Sequence, residues 1–263
     1  MDVNILAVGD VCSQSGLDFL KRNLRALRRQ YGVGFCVVNG ENANGVGITP
    51  KQADAIFEAG ADVVTLGNHT WSRYEIKPYL EEHTDILRPE NFSPQCPGRG
   101  WDVYETDFGP VCVISLAGRF AMDVNVDNPF LTADYVLSRL EKHMKIVLVD
   151  MHAEATSERV AMGYYLDGRA SAVWGTHTHV QTSDAFVLPG GTAFQTDLGM
   201  TGPWFSSIGR EFGPVRQKFL TGVPSRFTVA EGPATLEGAV ISFDPTTKKA
   251  SAIEAYRYRE PLA

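Results

Sequence analysis

No apolar run in the 263 residues approaches the roughly 20 needed to cross a bilayer, so a membrane span is not expected. The opening Met-Asp-Val-Asn-Ile-Leu-Ala-Val lacks a basic start and a cleavage site; it reads as a first strand rather than an export signal, and the expected location is cytoplasmic. Cysteine is scarce. Cys12, Cys36, Cys96 and Cys112 are scattered and form no C-x-x-C pair, which argues against a disulfide framework and against a thiolate zinc site. Positive charge is also short, with 24 Lys and Arg against 31 Asp and Glu and a net charge of −7. Strong non-specific nucleic-acid binding needs clustered cations to displace counterions, so that class of partner is disfavoured. An anionic substrate would need a local offset, which bound metal ions can supply. Repeats, low-complexity tracts and linkers are absent, and one domain over residues 1–263 is the expectation.

What is present is an alternation of short apolar runs with amphipathic stretches, the pattern of an α/β fold. Strands are expected at Asn4–Val8, Gly34–Val38, Asp62–Leu66, Lys145–Val149 and Ala172–Trp174, with a hairpin formed by Val103–Thr106 and Val111–Leu116. Leu17–Arg29 has helical apolar spacing, and Thr49-Pro50 opens a second helix to about Ala59. Shorter strand-like runs, Phe227–Ala230 and Ala239–Phe243, mark the last third, and Asp197–Gly202 with Pro203 reads as irregular backbone.

Five of these strands end in groups suited to metals. Asp10 follows the first, Glu41-Asn42 the second, Asn68-His69 the third, His152 the fourth, and His177-Thr178-His179 the fifth. In open α/β sheets, ligands gather where loops converge above the carboxyl ends of strands. Any one Asp, Asn or His in such a place is ordinarily a cap, a turn former or a packed residue. The joint occurrence argues otherwise, since four of the six histidines lie in these short motifs. Oxygen and imidazole donors without thiolate suit Mn, Fe, Co or Zn. In extended backbone, His177 and His179 would point to one side. This pattern leaves one ion or two open.

Gly-Asp-Val at the start, Gly-Glu-Asn at 40–42, Gly-Asn-His at 67–69, His-Ala-Glu at 152–154 and Gly-Thr-His-Thr-His at 175–179 resemble calcineurin-type metallophosphoesterases. More narrowly they resemble the YmdB-like bacterial cyclic-nucleotide phosphodiesterases, as do Val-Asp-Asn-Pro-Phe at 126–130 and Gly-Gly-Thr-Ala-Phe-Gln-Thr-Asp at 190–197. The resemblance spans nearly the whole chain. It implies a sandwich of two mixed β-sheets flanked by helices, and two divalent or mixed-valence ions, Fe or Mn before Zn or Co. By resemblance, Asp10, Asn42 and His179 hold one ion, Asn68, His152 and His177 the other, and Glu41 bridges them. His69 is then the catalytic group facing the substrate. The implied reaction is attack on a small phosphodiester, a 2′,3′- or 3′,5′-cyclic nucleotide, by a hydroxide shared between the ions. Two features depart from the wider superfamily and agree with the narrower family: Cys12 where a histidine is usual, and Glu41 where an aspartate is usual.

Further candidates each carry a competing reading. Arg119 is a candidate phosphate contact, with an ordinary surface arginine as the alternative. Trp71 and Phe120 are candidates for base stacking against a core role, Asp150 for orienting a ligating histidine, and Glu154 and Glu158 for the first turn of a helix. A phosphomonoesterase or nuclease using the same ligands, or a regulatory protein that binds a metal–nucleotide signal, stays open, as does a homo-oligomer.

Overall fold

The computed structural model describes residues 2–140, 146–244, 246–247 and 249–262. The first half runs β1 (Val3–Val8), β2 (Asp10–Val11), α1 (Ser13–Gln30), β3 (Val33–Asn39), α2 (Pro50–Ala59), β4 (Val63–Thr65), α3 (Ile76–Glu82), β5 (Ile86–Leu87), β6 (Trp101–Tyr104) and β7 (Val111–Ala117). The second runs α4 (Pro129–Arg139), β8 (Ile146–His152), α5 (Thr156–Tyr165), β9 (Ala172–Thr176), β10 (Phe186–Val187), β11 (Ala193–Gln195), β12 (Met200–Pro203), α6 (Phe212–Thr221), β13 (Ala234–Phe243) and β14 (Ala250–Arg259).

These strands form two mixed sheets, as the resemblance implies. One is ordered β2-β12-β13-β1-β3-β4-β5, with β14 also on β13; the other is β10-β11-β9-β8-β7-β6. Strand alternation explains the layering. Ile5, Ala7, Phe35 and Val37 face the opposite sheet and meet Val113, Leu148 and Trp174. Leu6, Val8, Cys36 and Val38 face outward, under Leu20 and Leu24 of α1 and Ile56 of α2. On the other outer face, Ile114, Leu116 and Val149 are covered by Val136 of α4 and Met162 of α5. Strands buried on both faces carry apolar residues at nearly every position, and so read as continuous runs. No helix among the described residues is long and apolar enough to cross a membrane.

Several expectations shift. Thr49 caps α2 in a full capping box with Gln52, as its sequence suggests, and β6 and β7 pair antiparallel. The fourth strand continues through Asp150 and Met151 to His152; Lys145 lies outside the described residues. Met200–Pro203 is a strand, held by β13 on one side and β2 on the other, and not irregular backbone. Phe227–Ala230 is not a strand, since its pairing is a single bridge from Val229 to Arg210.

Candidate metal centre

The parallel strands β1, β3 and β4 of one sheet and β8 and β9 of the other end on the same side, so their terminal residues converge from both sheets. Glu41, His152 and His177 offer donor atoms that all lie within 4.8 Å of one another. His152 Nε2 is the hub: Asn68 Oδ1 is 2.9 Å away, His177 Nδ1 3.0 Å and Glu41 Oε1 3.2 Å. Beside it, His179 Nε2 is 3.3 Å from Asn42 Nδ2 and 3.8 Å from Asp10 Oδ1. Asn42 Nδ2 in turn donates to Glu41 Oε1 at 2.9 Å, placing Glu41 between the two groups. Asp10, Glu41 and His152 have no exposed surface. Gly67 is required by this crowding: a Cβ there would run into the His152 ring and the Glu41 carboxylate.

Hydrogen bonds assign the ring protons. Thr176 Oγ1 donates its one hydrogen to Asp150 Oδ1 at 2.7 Å, so it accepts from His152 Nδ1 at 2.9 Å. Glu154 Oε2, 3.0 Å from His177 Nε2, places that ring's hydrogen on Nε2. His179 Nδ1 donates to the Ile208 carbonyl at 3.1 Å. Each neutral ring therefore aims a lone pair inward: His152 through Nε2, His177 through Nδ1, His179 through Nε2. His152 Nε2 and His177 Nδ1 lie 3.0 Å apart, so the pair needs a positive centre, either a proton or a cation.

Electrostatics agree. Burial drives the Asp10 carboxyl up to about 6, against the pull of His179 and His152. Burial also opposes ionisation of Glu41, but the His152 charge and hydrogen bond, with His69, outweigh it and hold the group at about 2. His152 rises to about 9 because Glu41 overcomes its burial, while burial and the His152 charge push His177 down to about 3. The metal-free cluster thus keeps one proton at its hub. Asp10 Oδ1 and Asn42 Oδ1 are buried without a hydrogen-bond partner among the described residues. Orphaned oxygens, inward lone pairs and an all-oxygen-and-nitrogen donor set fit divalent cations.

His177 and His179 converge for a reason other than the expected one. Both have left-handed backbone, φ 105° and φ 62°, so strand alternation does not align them. The loop is pinned instead: the His177 amide donates to Asp10 Oδ2 at 3.0 Å, and Thr178 donates to Asp197 Oδ2 from its amide at 3.1 Å and its hydroxyl at 2.7 Å. Asp197 is itself buried against Arg159. His69 lines the cavity over the cluster, and its amide donates to Glu41 Oε2 at 3.0 Å. Burial lowers its pKa.

The other candidates separate. Asp150 reaches His152 through Thr176, as expected of an orienting group. Glu158 sits in the first turn of α5, whereas Glu154 precedes that helix and holds His177, a role missed in the sequence. Thr176 and Asp197 were also missed, although both lie inside motifs already singled out. Arg119 and Phe120 line a different cavity, beside Glu158, and not the one bounded by His69, His177 and His179. Trp71 packs edge-on against Phe92, in a core role. Cys12 is a buried thiol, pushed up to about 12 by burial.

A family model described as YmdB-like protein matches residues 6–256. The 2′,3′-cyclic-nucleotide 2′-phosphodiesterase of Bacillus subtilis (strain 168) is 44% identical over 253 residues, covering 96% of each chain. A crystal structure of a hypothetical protein from Thermus thermophilus superposes with a TM-score of 0.92 at 40% identity, covering 98% of this chain and 100% of that one. A structure described as a novel phosphatase from Mycoplasma pneumoniae gives a TM-score of 0.94 at 31% identity, covering 100% of this chain and 95% of its own. The chain belongs to the YmdB-like family, and its two-sheet sandwich is that of the calcineurin-like metallophosphoesterases.

Proposed function

We propose that this chain is a dinuclear-metal phosphodiesterase acting on 2′,3′-cyclic nucleotides and, by the same geometry, on 3′,5′-cyclic nucleotides. The observation that carries the reading is a pair of imidazole nitrogens, His152 Nε2 and His177 Nδ1, 3.0 Å apart beside two orphaned buried oxygens, directly beneath a cavity of about 370 Å³ that Asn42, His177 and His179 line. Asp10, Asn42 and His179 would hold one ion, Asn68, His152 and His177 the other, and Glu41 would serve both. Iron or manganese is the first choice, and the donor set also accepts zinc or cobalt. Bound there, such ions polarise phosphoryl oxygens and offset developing negative charge.

The chain's own groups do the rest. Glu41 and Asp10, both fully buried, would supply negative charge to the bound cations. Glu154 and the Thr176–Asp150 pair keep the ligating rings in their productive tautomers. His69 faces the cavity and offers a ring N–H to the departing oxygen. Both sheets contribute donors to one cluster, so residues 1–263 work as one unit. The free, buried Cys12, Cys36 and Cys112 suit a reducing cytoplasm.

A second reading, phosphomonoester hydrolysis, is favoured by the phosphatase description of the Mycoplasma pneumoniae structure. One experiment addresses both: protein loaded with each candidate metal is offered cyclic nucleotides and mononucleotides, with metal content measured beside turnover. Diesterase activity abolished by chelator is expected. Glu41→Gln is expected to lose both metal and activity. His69→Ala should keep its metal while kcat falls by about 10²–10⁴-fold. A fully active, metal-loaded Glu41→Gln protein would remove the bridge from the scheme.

A further inference from the structure

Helix α6 leaves its apolar side uncovered. Phe212, Val215 and Phe219 fall at i, i+3 and i+7, the spacing of a stripe that ordinarily packs on a core, yet no residue of the helix is buried. Phe219 is 83% exposed. Val215 and Phe219 border the same cavity as His69, His177 and His179. Phe227 and Ile208 extend this apolar wall. The wall is tied to the metal centre, because the Ile208 carbonyl takes the hydrogen bond from His179 Nδ1 at 3.1 Å. Lys218 also lines the cavity, with Nζ 5.1 Å from the centre of the Phe227 ring.

One cavity thus has two chemically distinct sides: a floor of the imidazoles His69, His177 and His179 with Glu154, and a wall of aromatic and aliphatic side chains beside two cations, Lys218 and Arg210. A ligand that uses both carries an anionic group joined to a flat, largely apolar ring. We infer that Val215, Phe219 and Phe227 form a nucleobase subsite, in which the base of the substrate lies against Phe219 while its phosphodiester sits over the metal centre. The inference rests on the proposed diesterase reading and deepens it, making the base a determinant of specificity rather than a passenger. Base–aromatic stacking tolerates every base, so the subsite selects for a base and not for its identity.

The test compares kcat/KM of metal-loaded protein for a nucleoside 2′,3′-cyclic phosphate with that for methyl riboside 2′,3′-cyclic phosphate, which has the sugar and the diester but no base. The wild-type protein is expected to favour the base-bearing diester by about tenfold or more, and Phe219→Ala to collapse that ratio, chiefly through KM. Phe219→Leu keeps an apolar side chain without the aromatic face and should fall between the two. An unchanged melting temperature verifies that these exposed-site variants fold. A wild-type ratio near one, an unchanged ratio in the variants, or an equal loss on both substrates overturns the subsite. So does a Phe219→Ala protein that changes only its oligomeric state. Calorimetric affinities for a nucleoside monophosphate and for ribose phosphate give a readout without turnover. Weakening confined to the nucleotide supports the subsite even if no diester is hydrolysed, which separates its failure from failure of the diesterase reading.

Discussion

Beneath the floor of the cavity Asp10, Glu41 and His152 have no exposed surface, and each of the imidazoles of His152, His177 and His179 has a hydrogen-bond partner behind it. At the rim, α6 carries Phe219 and Leu220 at 83% and 74% exposure and buries none of its residues. On the proposed reading, the floor holds electrostatic tension that a cation would relieve, whereas the rim holds apolar surface that a ligand would cover. The two regions should therefore respond to different perturbations: pH and ligand-orienting substitutions act on the floor, and changes in apolar area act on the rim.

The largest expected effect is on the floor and depends on pH. His152 has a folded-state pKa raised from 6.5 to about 9, so its contribution to stability is full below pH 6.5 and is lost as pH rises through 9. Asp10, raised from 3.8 to about 6, loses its contribution as pH rises over that interval. His177, lowered from 6.5 to about 3, works in the opposite sense, and the two largely cancel at mildly acid pH. The net prediction is that the metal-free protein loses about 3 kcal/mol of stability between pH 6.5 and 9. Under the proposed assignment a ligated His152 has already given up its Nε2 proton, so the loaded protein escapes this loss. The gap in melting temperature between loaded and metal-free protein should widen steadily from pH 6.5 to 9. A constant gap would mean that the hub carries no displaceable proton.

A smaller effect is expected one step behind the ligands. Buried Asp150 accepts from Thr176 at 2.7 Å, Thr65 at 2.5 Å and Asn39 at 3.2 Å. Asparagine cannot accept all three, so Asp150→Asn frees the Thr176 hydroxyl to turn and releases the His152 tautomer. Metal affinity should fall by about 10–100-fold. Glu154 performs the equivalent task for His177 with a side chain 50% exposed, and glutamine there still accepts a hydrogen bond. Glu154→Gln should cost less than about tenfold. Metal titrations of both variants measure the contrast directly, and equal losses would erase the distinction between buried and solvent-shared orientation.

Much of the floor is legible in the sequence. The strands that carry it are covered on both faces, so β1, β3 and β8 appear as nearly continuous apolar runs, and the donors stand at or just past their ends. The convergence of those ends is a tertiary fact, and so is everything that depends on it. Glu154 looks like a helix-start residue because its partner is 23 positions away in sequence, the separation from Glu154 to His177. Met-Thr-Gly-Pro at β12 has no strand signature of its own; neighbouring strands on both sides impose its conformation. Phe227 is apolar and strand-like by composition, but it serves the cavity wall, where surface rather than pairing matters. The aromatic side of the cavity stayed hidden because apolar residues ordinarily signal a core, and α6 has none beneath it.

The smallest expected effect lies on that helix and separates its two sides. Leu220 is as large as a core residue and 74% exposed, but it is not part of the cavity lining that includes Phe219. Leu220→Ser removes apolar surface that covers nothing, so stability should move by no more than about 0.5 kcal/mol in urea or thermal unfolding. A similar truncation in the floor's supporting layer, Leu66→Ala, empties a fully buried site and should cost about 2–5 kcal/mol. If Leu220→Ser instead destabilises the protein by more than about 1 kcal/mol, well beyond the usual surface range, with a midpoint that depends on protein concentration, α6 is covered by a second copy in solution. The rim would then be an interface as well as a wall, and the contrast with the floor would be one of partner and not of exposure.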